Sequence, residues 1–239
     1  MRKRAFRNNV IAHFRACFIG IFIALALSVP TYGNPLHISI KSLDWKLFSE
    51  IIERDFSGCN ASDSDGVFPL HYAAGLGCIQ MVAALLKNGA DPRLTDSQGN
   101  SALHWAVNIQ PLCTVVVQPN EMKLCNLDVV QMLASAGVDV DARNNAGETP
   151  LHIAARQGTF GMVKLLTERR GNPNLQNSSG SSPLHLATGK FAAIVAGVLL
   201  YAGADPLLKN QEGKTPVDVA KEVNLPELLM VYERFFSKK

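Results

Sequence analysis

Four blocks of the chain place apolar residues at helical spacing: Met81, Val82, Leu85 and Leu86; Val129, Val130 and Leu133; Met162, Val163, Leu165 and Leu166; Val195, Val198, Leu199 and Leu200. Residues three and four apart share one side of an α-helix, so each block predicts a helix with one buried face. The blocks run into Gly89, Gly137, Gly171 and Gly203, which suit a left-handed helix stop where a Cβ would clash. Upstream lie shorter stretches begun by Leu70, Leu151 and Leu184 and followed by the small pairs Ala73-Ala74, Ala154-Ala155 and Ala187-Thr188. These predict short first helices that a neighbour can approach closely. Thr149-Pro150 and Thr215-Pro216 mark sharp starts: a threonine caps orphan N–H groups, and a proline in the first turn lacks only an N–H that would be unpaired anyway.

The blocks are copies of one another. DGVFPLHYAA (65–74) returns as QGNSALHWAV (98–107), AGETPLHIAA (146–155), SGSSPLHLAT (179–188) and EGKTPVDVA (212–220), with a fainter NPLHISI from Asn34. The anchors Leu36, Leu70, Leu103, Leu151, Leu184 and Val217 are spaced 34, 33, 48, 33 and 33 residues apart, so one copy carries a 15-residue insertion. A 33-residue period with G-x-T-P-L-H-x-A-A, then V-x-x-L-L and G-A-D, resembles the ankyrin repeat, and Gly147 to Ala155 lies close to that family's consensus. The resemblance covers the chain after residue 33. It implies an all-α solenoid of about six stacked units, each a pair of antiparallel helices, joined by projecting hairpin loops. The units fall near 34–64, 65–97, 98–145 (with 108–126 inserted), 146–178, 179–211 and 212–239. The first and last depart from the pattern, with Ile38-Ser39-Ile40 and Val217-Asp218 respectively, as terminal units would. The copy at 179–211 has Thr188-Gly189-Lys190 in its turn and Gly197 inside its second helix, and is expected to pack more softly.

Residues 1–33 read differently. A basic stretch, the 12-residue apolar run Ala16 to Leu27 and the small-residue site ending at Gly33 predict a secretory signal cut before Asn34, leaving 206 residues. The run is shorter than the about 20 residues a bilayer core asks for, so no stable membrane insertion is expected after cleavage. The expected destination is the periplasm of a Gram-negative cell, or otherwise the medium. Five of the 23 basic residues lie in this segment, and the 18 that remain face 20 acids. A slightly acidic body without a basic cluster makes a poor nucleic-acid binder.

Candidate chemistry dissolves into the repeat. His37, His71, His104, His152 and His185 all occupy one position of the period. A ladder of imidazoles one unit apart fits hydrogen bonding between units better than metal ligation, which needs convergence on one ion. There is no G-x-S-x-G elbow, phosphate-binding G-x-x-x-x-G-K-[ST] loop or H-E-x-x-H site. Acid pairs such as Asp63 and Asp65 read as solvated turns. The chain is expected to be no enzyme and to need no cofactor or metal.

Two features remain for recognition. The insertion holds Cys113 and Cys125, twelve apart, which in an oxidising compartment can close it as a disulfide; Cys78 is a rival partner for either, and Cys59 is expected to stay unpaired. The resemblance implies a partner protein gripped by hairpin tips and the exposed concave edge of the first helices. Carried over by position, this selects Ser64, Asp65 and Val67; Ser97, Gln98 and Asn100; Asn145, Ala146 and Glu148; Ser178, Ser179 and Ser181; Gln211, Glu212 and Lys214; and, along a first helix, Arg156 and Gln157. The reading that results is an exported, monomeric protein-binding module. Its rivals are a secreted effector or membrane-anchored scaffold and, from another class, an enzyme accessory or unrecognised hydrolase, which would require a deep pocket with convergent polar groups.

Overall fold

A computed structural model of the chain describes residues 34–108 and 126–237. Among them, helices follow one another in six pairs: α1 (Pro35–Lys41) and α2 (Trp45–Arg54); α3 (Pro69–Gly75) and α4 (Ile79–Lys87); α5 (Ala102–Val107) and α6 (Asn126–Ser135); α7 (Pro150–Gln157) and α8 (Phe160–Glu168); α9 (Pro183–Leu186) and α10 (Ala192–Tyr201); α11 (Pro216–Glu222) and α12 (Pro226–Phe236). A 3₁₀ turn, Ser57–Asn60, follows α2. Each first helix packs on the next first helix and each second helix on the next second helix, in two parallel rows. This is the all-α stack of helix pairs that the resemblance implies.

The small residues explain the close approach. Ala73, Ala74, Ala106, Ala154 and Ala155 are buried between first helices, while Leu103, Leu151 and Leu184, with Val82, Val130 and Val163, fill the space behind them. Burial is shared between units, so the core is one continuous strip rather than six separate cores.

Histidine joins the units in register. The backbone N–H of Ser101, Thr149 and Ser182 donates at 3.1 Å to Nδ1 of His104, His152 and His185, and the hydroxyl of the same residue lies 2.8 to 2.9 Å from that nitrogen. With Nδ1 accepting, the proton sits on Nε2. That nitrogen donates to a carbonyl of the next unit's loop: His37 to Val67 (2.9 Å), His104 to Glu148 (2.9 Å), His152 to Ser181 (3.0 Å) and His185 to Lys214 (3.0 Å). His37 Nδ1 is buried without a hydrogen-bond partner among the described residues, and His71 departs from the pattern at the other nitrogen. Its Nδ1 takes the Phe68 N–H at 3.2 Å, but its buried Nε2 lacks a partner of hydrogen-bond geometry among the described residues. In the last pair Asp218 stands in for histidine, accepting from the Thr215 N–H and hydroxyl at 3.0 and 2.7 Å. A carboxylate serves the cap but has no second nitrogen to reach onward.

Two local expectations need correction or sharpening. Gly89, Gly137 and Gly203 do end their helices at positive φ (87°, 87° and 91°), but after α8 the left-handed residue is Arg170 (φ 66°), not Gly171. Arg170 lies four residues beyond the buried Leu166, as Gly89 lies four beyond Leu85; Gly171 is one step further on and packed against the Leu166 carbonyl. In the unit at 179–211, α9 is only four residues long, and the chain leaves it at Ala187 for the Thr188 to Phe191 turn.

Candidate partner-binding surface

Each hairpin is built on an Asp or Asn that folds the chain back over itself. Oδ1 of Asp63, Asp96, Asn144, Asn177 and Asn210 accepts the N–H groups two and four residues on, at 2.8 to 3.0 Å. The glycine three residues on then takes a left-handed conformation, which tightens the turn. Neighbouring tips are joined by backbone hydrogen bonds: the N–H of Asn145, Ser178 and Gln211 donates to the carbonyl of Gln98, Ala146 and Ser179 at 2.9 to 3.0 Å.

This geometry sorts the sequence-derived surface residues. Ser64, Asp65, Ser97, Gln98, Asn145, Ala146, Ser178, Ser179, Gln211 and Glu212 are exposed on one row of tips. The position four beyond the Asp or Asn is different, because its carbonyl receives the histidine bond from the preceding unit. There Val67 and Ser181 are buried (6% and 8% exposed), which removes them from any contact surface. Asn100, Glu148 and Lys214 at the same position are half-buried and engaged within the fold: Asn100 with Asp96, Glu148 in an ion pair with the exposed Arg156, and Lys214 with Glu212 and Glu222 at 2.9 Å. Gln157 is half-buried and donates to Asn108 at 2.7 Å. Cys113 and Cys125 lie outside the described residues. Cys78 is buried at the start of α4, where the adjoining Gly77 packs against Asn126, so it stands at the end of the stack from which the insertion leaves. Cys59 is buried and not in a disulfide, and burial raises its thiol pKa.

The residues on either side of the tips were not legible as a group. On the hairpin side of the first helices, Tyr72 follows His71 and donates its hydroxyl to Asp63 Oδ2 at 2.7 Å; Trp105 follows His104 and donates its indole N–H to Asp96 Oδ2 at 2.9 Å. The two rings meet edge to face at 5.3 Å. Lys41 lies over the Tyr72 ring, 4.1 Å from its centre, and 3.5 Å from Asp63. Burial pushes the Asp63 and Asp96 carboxyls up, but the hydrogen bonds they accept outweigh it and hold both below the ordinary carboxylate value. The signal existed in the sequence: the two hairpins with an acid instead of Asn are the two whose following helix carries Tyr or Trp after His.

Burial lowers the pKa of all five repeat histidines, that of His152 to about 4, with the carbonyl of the next unit opposing the shift where it is bonded. His104, His152 and His185 are neutral imidazoles committed at both nitrogens, which leaves them no free site for acid–base work. Among the described residues no three His, Cys, Asp or Glu converge as a metal site, and no helix is long and apolar enough to cross a membrane.

Comparison with known families agrees with the architecture. A model described as ankyrin repeats in many copies matches residues 57–106 and 133–187, and one for the single ankyrin repeat matches 98–145 and 179–211. The chain belongs to the ankyrin-repeat family. Among similar proteins, the mouse ankyrin repeat and SOCS box protein 16 is 37% identical over 109 residues, 46% of this chain and 22% of that protein. The neurogenic locus notch homolog protein 1 of zebrafish is 31% identical over 120 residues, 50% of this chain and 4% of its own length; the human protein is 31% identical over 121 residues, 51% and 4%. The chain thus matches only a fraction of the length of each of these proteins. An ankyrin array of this kind is a protein–protein interaction module.

Proposed function

We propose that this ankyrin array is an exported, monomeric binding protein without a reaction of its own, which holds a partner protein along its hairpin tips and the adjoining edge of the first helices. The observation that carries the reading is the row of exposed tips, joined to one another by backbone hydrogen bonds and, at three units, held from the preceding unit by His104, His152 and His185. Export is supported by the basic, apolar and small-residue order of residues 1–33.

The test compares affinity capture from the exported fraction by the wild type and by Asp65→Arg/Gln98→Arg/Ala146→Arg, whose three sites are exposed. Loss of the captured partner from the variant is expected; an unchanged capture would place the interface elsewhere. N-terminal sequencing of the exported protein should begin at Asn34, and a chain that begins upstream would favour the anchored scaffold. Sedimentation of the mature chain should give a single monomeric species.

A further inference from the structure

We propose that the insertion at 109–125 docks on its own stack, seating the apolar run Val115-Val116-Val117 on a face formed by Leu127, Phe160, Phe191 and Ile194. The face lies at the end where first helices turn into second helices, away from the hairpin tips, so the inference stands independently of the binding reading.

The four side chains adjoin one another. Leu127 is the second residue of α6, Phe160 the first of α8, Phe191 the cap of α10 and Ile194 one turn further on; each is 42% to 52% exposed. A Cβ added to Gly161 would stand 3.8 Å from Leu127 Cδ1, and one added to Gly158 would stand 3.9 Å from Phe191 Cβ. Leucine from the third unit and phenylalanine from the fifth thus rest on the turn that carries Phe160. The Lys190 ammonium, 5.6 Å from the centre of the Phe191 ring, marks the polar edge. Two of the four depart from the repeat. Counted from the anchor leucines, Phe191 stands where earlier units have Gly77 and Gly158, and Ile194 where they have Gln80 and Gly161. Large apolar side chains gathered at water-facing positions of adjoining units mark a surface that something apolar covers.

Both ends of the insertion open onto this face. Asn108, just before it, accepts from Gln157 Nε2 at 2.7 Å, and Gln157 adjoins the Gly158 against which Phe191 packs. Asn126, just after it, is buried, donates to the Ala106 carbonyl at 2.8 Å and is followed at once by Leu127. The chain therefore departs beside one edge of the face and returns beside the other. Halfway round the 17-residue segment lies Val117. Eight residues at about 3.3 Å each reach about 26 Å, and packed helices of neighbouring units lie about 8 to 10 Å apart, so the valines can lie anywhere from the third unit to the fifth. The segment is itself apolar, with seven aliphatic or methionine side chains against two charges, Glu121 and Lys123. Seating it here withdraws two apolar surfaces from water at once.

The test records nuclear Overhauser contacts in the mature chain between the methyl groups of the valines at 115–117 and the rings of Phe160 and Phe191. Mixing isotope-labelled with unlabelled chains separates contacts within a molecule from contacts between molecules; contacts within one molecule are expected. A second chain replaces 109–125 with Leu-Gly, the pair found at 76–77, which restores the 33-residue spacing. Phe160→Ser should lower the folded-to-unfolded ratio about tenfold in the mature chain, where the ring is covered, and less than about twofold in the shortened chain, where it is bare. Contacts only between molecules would make a second copy the occupant, and no contacts at all would leave the face to a foreign partner. Either result overturns the inference, as would equal losses in the two chains. Should the shortened chain fail to fold, the contacts in the mature chain decide alone.

Discussion

His152 accepts a backbone N–H with one ring nitrogen and donates to the next unit with the other, so a second ring proton has to displace the Thr149 contact. This makes the stack sensitive to acid. Above about pH 6.5 both folded and unfolded chains carry neutral imidazoles; below it the unfolded chain takes up protons that folded His152 refuses until about pH 4. Stability present at pH 7 is therefore lost as pH falls through this window. His152 alone accounts for about 3 kcal/mol, and the other lowered histidines act in the same direction. Urea midpoints measured from pH 7.5 down to about pH 4.5 should show the slope, and His152→Ala should be less stable at neutral pH by about 2 kcal/mol or more while flattening it. A midpoint independent of pH would contradict the assigned tautomer. At Arg170 the sign is opposite: a side chain held at φ 66° is strained, so Arg170→Gly should raise stability by about 1 kcal/mol in the same assay.

At the scale of elements, α10 carries a correctable weakness. Gly197 sits in the helix interior with open space where a Cβ would go, so Gly197→Ala should stabilise by about 1 kcal/mol, read as a rise in the thermal midpoint. A fall would mean that the helix passes closer to another group than the structure places it. These elements show what the sequence could and could not give. The six anchors, the proline starts and the glycine stops were legible because each reports a local backbone demand, repeated every 33 residues. Arg170 escaped because a nearby glycine offered a more obvious stop one residue too late. In the sequence Val67 and Ser181 look like surface because their position follows the tip closely; in the fold the preceding histidine bonds Val67 O and Ser181 O across units and buries both residues. The Asp96–Trp105 contact was hidden for a related reason, since it spans a hairpin and a helix start that only the fold brings together.

For the molecule as a whole, cooperativity runs along the stack because each unit contacts its neighbours and little else. Leu151, fully buried near the middle, touches the part of the core that both halves need. Leu151→Ala should cost about 2 to 5 kcal/mol, and it should also lower the urea m-value as the two halves begin to unfold separately. An unchanged m-value with the full loss in stability would instead mean that the array still unfolds as one body. The hydrogen bonds between neighbouring tips bear on how such a body meets a partner. Loops tied edge to edge at Gln98, Ala146 and Ser179 have already surrendered their independent motion when the chain folds, so docking need not freeze them one at a time. A rigid comb of this kind favours partners whose own contact points match its pitch and rejects those that would have to bend it.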